Sequence, residues 1–349
     1  MSYLSLVVDS NGTKLAFIDS GVPTPVRSEP YTTIFAFHGM GFSSHTFKRL
    51  HTLAPAYNLR FVSVNRRRYA ASTPLSPSEL DMPTNGSDVE KTAFLNARGI
   101  EAAMFIDKFI QQNDIPPIST SGLGGGIGLL GWSAGNSVTL SVVANLDVLS
   151  SETQARFASR LRALIMYEPP SMITGAPVPK GTWLPQFDPT LPTHLQQAMW
   201  TPWVSSYFAH SDLSKRDPTV LTVTAPSLTP APTVYNMSPE EIADSVDDTV
   251  TELPALIHAT SQQSVIYRKA CFEREVRTRL PHMKVTHLCG DKTISSALAT
   301  LWGVQDDAEV DGGNMVEFNL VPDANHFMHW DHPEKTLEAC LLALEPKQE

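Results

Sequence analysis

The pentapeptide GWSAG, residues 131–135, is the part of the sequence best suited to nucleophilic chemistry. An apolar run, IGLLGW, leads into its serine, and a segment with a helical pattern follows. A serine nucleophile needs exposure at a strand end, a base to take its proton and N–H donors for an oxyanion. Two flanking glycines between a strand and a helix leave room for the strained turn that exposes such a serine. We therefore predict that Ser133 is a nucleophile; a plain tight turn is the alternative.

An oxyanion hole needs two backbone N–H groups, and the sequence offers one candidate for each. The first is the amide of Ala134, the residue after the serine. The second is the amide of Met40 in FHGMG, which ends an earlier apolar run. His38 lies in the same loop, and we interpret it as a structural histidine that braces the loop.

Strands that alternate with helices must position these loops. A hairpin with a Ser-Asn-Gly turn opens the chain, and Ala93, Ala97, Ile100 and Met104 give a helix from 88 to about 113. Nearly continuous apolar runs indicate strands buried on both faces of a parallel sheet. These runs lie at 32–41, 59–68, 127–133, 162–170, 282–291 and 315–327. The pattern predicts an α/β fold with a doubly wound, mostly parallel sheet.

The region from 171 to 270 breaks this alternation. Between Pro169 and Pro239 lie 13 of the chain's 27 prolines, together with several aromatic residues. Prolines at this density exclude regular strand–helix repeats, whereas the aromatic residues argue against a disordered linker. We predict a folded, irregular insertion that covers something, with a helix start at Ser238, where Glu241 completes a capping box.

Composition limits the class of protein. The chain has 349 residues and a formal net charge of −10, which argues against binding to nucleic acid or to anionic membranes. No apolar run approaches the length of a membrane span, and the first residues do not resemble a signal peptide. Three widely spaced cysteines fit a reducing compartment, so we expect a cytoplasmic protein.

The sequence resembles the α/β-hydrolase fold superfamily. The matching pieces are DSNGTKLAFIDSG in the first hairpin, FHGMG, GWSAG and VPDANHFMHWDHPE near the end. The resemblance implies an eight-stranded sheet, a core domain formed by residues 1–170 and 271–349, and a cap inserted at 171–270. It also implies a catalytic triad and no cofactor, and we find no metal-binding pattern among the histidines.

The resemblance places the base of the triad in the last loop. His326 holds the position at which the family has its catalytic histidine, and His329 is the main rival. The triad acid is open between two carboxylates. Glu168 follows the strand after the nucleophile and precedes two prolines, as in some relatives. Asp291 lies near the more common position, which Thr293 occupies here.

The implied function is that of a serine hydrolase. It would cleave a carboxylic ester or a lactone of a moderately sized apolar or aromatic small molecule through an acyl-enzyme. Aromatic residues would line its substrate pocket, namely Trp132, Trp183, Trp200 and Trp203. A ligand-binding receptor and a lyase or acyltransferase on the same fold remain alternatives. The sequence gives no oligomeric state.

Overall fold

The alternation of strands and helices predicted from the sequence is present in the computed structural model, which describes residues 2–25, 27–247 and 252–346. The strands of the described residues form one eight-stranded sheet. They are β1 (Leu4–Val7), β2 (Lys14–Asp19), β3 (Thr32–Phe37), β4 (Leu59–Val64), β5 (Ile127–Trp132), β6 (Leu161–Tyr167), β7 (Lys284–Gly290) and β8 (Glu317–Val321).

The strand order is β1-β2-β4-β3-β5-β6-β7-β8. The pairs β1·β2 and β2·β4 are antiparallel, whereas the pairs from β4 to β8 are parallel. This topology confirms the doubly wound, mostly parallel sheet. Because the carboxyl ends of parallel strands share one edge, the loops after β3, β5, β6, β7 and β8 emerge together.

Helices cover both faces of the sheet. The helices of the described residues are α1 (Lys48–Leu53), α2 (Pro77–Asn85), α3 (Asp88–Gln112), α4 (Asn136–Ala144), α5 (Ser151–Ala158), α6 (Ser171–Thr174), α7 (Thr193–Val204), α8 (Pro239–Ser245), α9 (Leu253–His258), α10 (Thr260–Phe272), α11 (Arg274–Arg279), α12 (Ser295–Val310), α13 (Met328–Asp331) and α14 (Pro333–Leu344). Helix α3 agrees with the helix predicted from residue 88, and the predicted capping box of Ser238 and Glu241 begins α8. None of the described helices is long and apolar enough to cross a membrane.

Alternate residues of the central strands enter two separate apolar cores. Phe35 and Leu129 face one core together with α3 and α4, whereas Ile34 and Leu130 face the other. All residues of β3, β4, β5 and β6 are buried. Burial on both faces explains why these strands are continuous apolar runs in the sequence.

The region from 171 to 270 consists of short helices and 3₁₀ turns within its described residues. It is tied to the loop after β3 at two points, where Ser43 N–H donates to the Ser245 carbonyl at 2.7 Å and Phe42 pairs with Val246. Phe208 N–H donates to the Lys292 carbonyl at 2.9 Å, beyond the end of β7. The region therefore contacts two of the loops at the carboxyl edge of the sheet.

The predicted boundary at residue 270 falls inside helix α10. This helix packs against α4 and α6. Its buried residues Ile266 and Ala270 belong to the same apolar core as β5. The end of the insertion is thus continuous with the core helices.

Candidate functional site

Ser133 lies at the sharp turn between β5 and α4. Its φ angle is +52°, a left-handed conformation that is costly for a residue other than glycine. A Cβ atom on Gly131 would lie 2.4 Å from Thr139 Oγ1, and one on Gly135 would lie 2.1 Å from the Phe37 carbonyl oxygen. Both positions exclude any side chain. The GWSAG sequence therefore has glycine where the turn requires it, and the turn exposes part of Ser133.

Asn136 fixes this turn to the neighbouring strand. Its Nδ2 donates to the Ser133 carbonyl at 2.9 Å and to the Tyr167 carbonyl at 3.0 Å, and the residue is fully buried. One amide thus binds the turn after β5 to the end of β6. The sequence alone did not indicate Asn136, because an asparagine at the start of a helix is common and its second partner is 31 residues away.

The loop after β3 lies directly against the serine. A Cβ atom on Gly39 would lie 2.9 Å from Ser133 Cβ. Met40 follows Gly39, and Ala134 is the second residue of the 3₁₀ turn that begins at Ser133. The structure therefore brings the two predicted oxyanion donors close to the predicted nucleophile.

His38 braces this loop as a neutral imidazole. Its Nδ1 donates to the Gly39 carbonyl at 2.9 Å, and its Nε2 accepts the Arg66 backbone N–H at 3.1 Å. Burial of the ring, together with the charge of Arg66, lowers its pKa well below the usual range. Both nitrogens have partners, as expected for the structural histidine predicted from the sequence.

His326 and Glu168 form a buried pair at the adjacent loops. His326 Nδ1 lies 3.0 Å from Glu168 Oε2, and the two side chains are 2% and 0% exposed. Glu168 also accepts the Gly290 N–H at 2.6 Å on Oε1 and the Thr293 hydroxyl on Oε2. Three donors thus surround the carboxylate, which offsets the cost of removing it from water.

The other carboxylate, Asp291, has different surroundings. Its backbone N–H donates to the Val321 carbonyl at 3.1 Å. Its side-chain Oδ1 is buried and has no hydrogen-bond partner among the described residues. Of the two acids that the sequence left open, the structure brings Glu168 into hydrogen-bond contact with His326.

The rival histidine, His329, lies in the core below the site. Its Nδ1 is 2.9 Å from the Tyr167 hydroxyl, and its Nε2 is 3.0 Å from Thr46 Oγ1. Burial, together with the charge of His326, lowers its pKa well below the usual range. His329 is therefore a neutral side chain whose two nitrogens are already hydrogen-bonded.

The four tryptophans predicted for the pocket lie at different depths. Trp132 is 1% exposed, packs 5.3 Å from the His326 ring and donates from Nε1 to the His326 carbonyl at 2.9 Å. It thus supports the histidine loop from the core. Trp200 lies beside the loop after β3, since a Cβ atom on Gly41 would lie 2.9 Å from its ring. Trp183 and Trp203 pack edge to face, with their ring centroids 6.2 Å apart, in the insertion.

Arg66 and Glu252 form a part-buried ion pair that the sequence alone did not indicate. Arg66 Nη2 lies 2.6 Å from Glu252 Oε2 and donates to the Gly39 carbonyl at 3.0 Å. Tyr69 accepts the Gly41 N–H at 2.9 Å and donates to Glu252 at 3.2 Å. The pair and Tyr69 thus hold the loop after β3 through its Gly39 carbonyl and Gly41 N–H. Glu252 is 186 residues from Arg66, so no local sequence pattern indicates their contact.

No group of histidine, cysteine or acidic side chains in the described residues has the arrangement of a metal site. The geometry instead places a strained serine beside two backbone amides, and a histidine beside a buried carboxylate. This arrangement suits nucleophilic attack on a carbonyl carbon.

Comparisons with known proteins show the same fold in solved structures. A proline iminopeptidase from Mycobacterium smegmatis superposes with a TM-score of 0.53 at 14% identity, covering 98% of this chain and 97% of the other. A bromoperoxidase from Bacillus anthracis superposes with a TM-score of 0.50 at 12% identity, covering 98% and 99%. No match was found among curated proteins. The family model described as Alpha/beta hydrolase family matches residues 34–339, and the chain therefore belongs to the alpha/beta hydrolase family.

Proposed function

We propose that the protein is a serine hydrolase that cleaves a carboxylic ester or a lactone through an acyl-enzyme. Ser133 is the nucleophile, His326 the base and Glu168 the acid that orients His326. The observation that carries the proposal is the 3.0 Å contact between His326 Nδ1 and the buried Glu168 carboxylate. A carboxylate can only accept, so Nδ1 carries the hydrogen and Nε2 keeps the lone pair that a base needs.

The acylation step follows from these assignments. Ser133 Oγ forms a bond to the substrate carbonyl carbon while His326 Nε2 takes the serine proton. Negative charge develops on the carbonyl oxygen, and the amide N–H groups of Met40 and Ala134 stabilise it. The carbon–oxygen bond to the alcohol then breaks, and His326 returns its proton to the departing oxygen.

Deacylation uses the same groups. A water molecule gives a proton to His326 Nε2 and attacks the acyl carbon. The bond to Ser133 Oγ breaks, the serine regains its proton, and the carboxylic acid leaves. Glu168 stabilises the charged imidazole in both steps because its carboxylate stays beside Nδ1. The reaction as proposed needs no cofactor.

The insertion at 171–270 is proposed as a cap over the site. Its support is the contact of Trp200 with Gly41 and the bonds from residues 245–247 to the loop after β3. Asn325, next to the proposed base, donates to the Ser205 carbonyl at 2.9 Å. A cap rich in buried aromatic side chains favours an apolar or aromatic substrate of moderate size.

A cytoplasmic location is proposed on the state of the cysteines. Cys271, Cys289 and Cys340 are all unpaired and buried. Burial raises the pKa of the Cys271 and Cys340 thiols to about 12, so these side chains pack as apolar groups. Unpaired thiols are typical of proteins in a reducing compartment.

The test is labelling with a fluorophosphonate probe, followed by mass spectrometry of the intact protein. Wild-type protein should gain one adduct, on Ser133. The Ser133→Ala variant should gain none and should lose about 10⁶-fold in kcat on any ester that the wild type cleaves. Ser137→Ala, one helical turn further along, is the control and should still be labelled.

Turnover separates an enzyme from a receptor-like protein. A panel of aryl esters, alkyl esters and lactones should show repeated turnover with the wild type. Absence of any adduct on Ser133 would overturn the nucleophile. An adduct together with release of no more than one acyl group per protein would favour a ligand-binding role instead.

A further inference from the structure

A second feature of the structure bears on the chemistry of the substrate. A cavity of about 90 Å³ lies between the loop after β4, helix α3, the start of α4 and helices α9 and α10. Its volume is several times the ~10–15 Å³ that one water molecule requires. Most of its exposed wall area is apolar, with contributions from Leu80, Phe94, Val138 and Leu256, and Ala134 is part of the wall. Charged side chains also line the cavity, namely Arg66, Arg67, Arg68, Arg98, Glu101 and Glu252.

One buried side chain in this wall has an unused acceptor. Gln263 is 1% exposed and donates from Nε2 to Ser137 Oγ at 2.6 Å. Its Oε1 is buried and has no partner in the described part of the chain. An unpaired buried acceptor costs free energy, so a donor from a ligand would be stabilising there.

A second side chain in the same wall has an unused donor. The terminal nitrogens of Arg98 are held by Glu79 at 3.1 Å and by Glu101 at 2.7 Å. Its Nε–H is buried and has no acceptor within the described residues. The lining thus includes one free donor and one free acceptor, and among its other charged side chains Arg66 pairs with Glu252 and Arg67 with Glu101.

These two atoms restrict the chemistry of a ligand. An ionised carboxylate cannot donate to Gln263 Oε1, and an ammonium group cannot accept from Arg98 Nε. A hydroxyl group does both. The cavity therefore suits an aliphatic chain that carries a hydroxyl group.

The position of the cavity links it to the proposed nucleophile. Ser137, which holds Gln263, follows Ser133 by four residues, a rise of about 6 Å along a helix. Ala134, whose amide is a proposed oxyanion donor, forms part of the wall. We take an acyl chain of about five carbons on Ser133 as the length that matches this rise of about 6 Å.

We propose that the cavity binds the terminal hydroxyl of a short hydroxyacyl group, and hence that the substrate is a lactone. This inference rests on the proposed acyl-enzyme mechanism. When Ser133 opens a lactone, the ring carbon–oxygen bond breaks and the oxygen takes the proton from His326, so the hydroxyl stays attached to the acyl group. Such a tethered hydroxyl re-attacks its own carbonyl efficiently. Hydrogen bonds to Gln263 and Arg98 hold this hydroxyl away from the acyl carbon until water attacks.

The test compares two acyclic esters that differ only at the chain end, methyl 5-hydroxypentanoate and methyl pentanoate. The measurement is the kcat/KM of methyl 5-hydroxypentanoate divided by the kcat/KM of methyl pentanoate. Loss of one hydrogen bond to the hydroxyl should lower this ratio about tenfold in Gln263→Met. The turnover of δ-valerolactone should fall with it. Gln262→Met is the matched control, because Gln262 lies on the same helix but bonds to Asp88, and its ratio should equal that of the wild type.

An inhibition experiment on wild-type protein avoids dependence on the folding of the variant. 5-Hydroxypentanamide should slow fluorophosphonate labelling of Ser133 at a concentration about tenfold lower than pentanamide. Equal inhibition by the two amides, or an unchanged ester ratio in Gln263→Met, would overturn the hydroxyl site while Ser133 is still labelled. Failure to label Ser133 at all would instead overturn the proposed hydrolase mechanism.

Discussion

Strands β6 and β7 are parallel neighbours, and a carboxylate follows each of them, but the two carboxylates have opposite surroundings. Glu168 after β6 is fully buried and accepts hydrogen bonds from Gly290 N–H, Thr293 and His326. Asp291 after β7 keeps a buried oxygen without a partner in the described residues. The acid beside His326 is therefore Glu168, whose carboxylate accepts a backbone hydrogen bond from the neighbouring strand β7.

The difference originates in the backbone at the two strand ends. Glu168 has a φ angle of +51°, and its N–H still donates to the Leu288 carbonyl of β7 at 2.9 Å. This turn directs the side chain across the end of β7, where Gly290 and Thr293 provide donors. β7 thus supplies the surroundings for an acid on β6. A strained backbone and a full set of donors at one carboxylate are the features expected of a functional position.

The largest expected effect on kcat comes from replacing Glu168. Glu168→Gln keeps the shape of the side chain but removes the charge that compensates the imidazolium. We expect kcat to fall by about 10⁴-fold, by analogy with serine proteases. Asp291→Asn is the matched change on the neighbouring strand, and kcat should stay within a few-fold of wild type. The measurement is kcat on the best ester found, with circular dichroism to verify folding.

The contrary outcome is a large loss of kcat confined to Asp291→Asn. It would show that the acid acts from β7 and that Glu168 is a structural carboxylate. A loss in both variants with intact folding would indicate that the two acids act on the same imidazole.

A second prediction moves the acid from β6 to β7. Thr293 Oγ1 already contacts the carboxylate that holds His326, so an aspartate at this position lies close to the same imidazole. We expect Glu168→Ala/Thr293→Asp to recover about 100-fold in kcat over Glu168→Ala alone. Glu168→Ala/Thr293→Asn is the uncharged control and should recover little. If both double variants are equally inactive, the strand end of β7 cannot present an acid to His326.

The sequence predicted the sheet and the order of the loops because buried parallel strands and their turns have local patterns. Ser133 and Glu168 each follow an apolar run directly, whereas His326 was selected because the family resemblance places the base in the loop after the last strand. Local patterns did not decide whether Glu168 or Asp291 is the triad acid. The choice depends on which side chain crosses a strand end, and this is decided by one φ angle and by donors more than 120 residues away.

Other contacts described above have no local sequence pattern at all. Arg66 and Glu252 meet across 186 residues, and Gln263 contacts Ser137 across 126. Their contacts arise only when the insertion packs against the core. The predicted boundary at residue 270 lies inside α10, and a helix shared by an insertion and a core shows one continuous helical pattern in the sequence.

The two strands also differ in their interiors, where a buried polar side chain has hydrogen-bond partners on β6 but not on β7 within the described residues. This difference gives a prediction about stability. On β6, buried Arg162 donates to the Gly125 and Gly122 carbonyls. On β7, His287 is fully buried and neither ring nitrogen has a partner in the described residues. Burial lowers the pKa of His287 to about 3.

The sign of the pH effect follows from that pKa. Below about pH 6.5 the unfolded chain binds a proton at this histidine and the folded chain does not, so stability falls as pH falls. Between pH 8 and pH 5 this single group should lower the free energy of unfolding by about 2 kcal/mol. His287→Leu should remove that part of the pH dependence in urea titrations. The exposed His282→Gln is the control, and an unchanged slope in His287→Leu would contradict the assignment.

The smallest expected effect tests whether Thr293 orients the acid or only fills space. Thr293→Val removes the hydroxyl donor to Glu168 and keeps the volume of the side chain. A hydrogen bond to a charged group contributes about 1.5 kcal/mol, so kcat should fall about tenfold if the bond holds Glu168 in place for His326. Thr293→Ser restores the hydroxyl and should restore most of the rate. If Thr293→Val lowers only the free energy of unfolding and leaves kcat unchanged, the hydroxyl stabilises the buried carboxylate without positioning it, and Gly290 N–H alone suffices to aim Glu168 at the histidine.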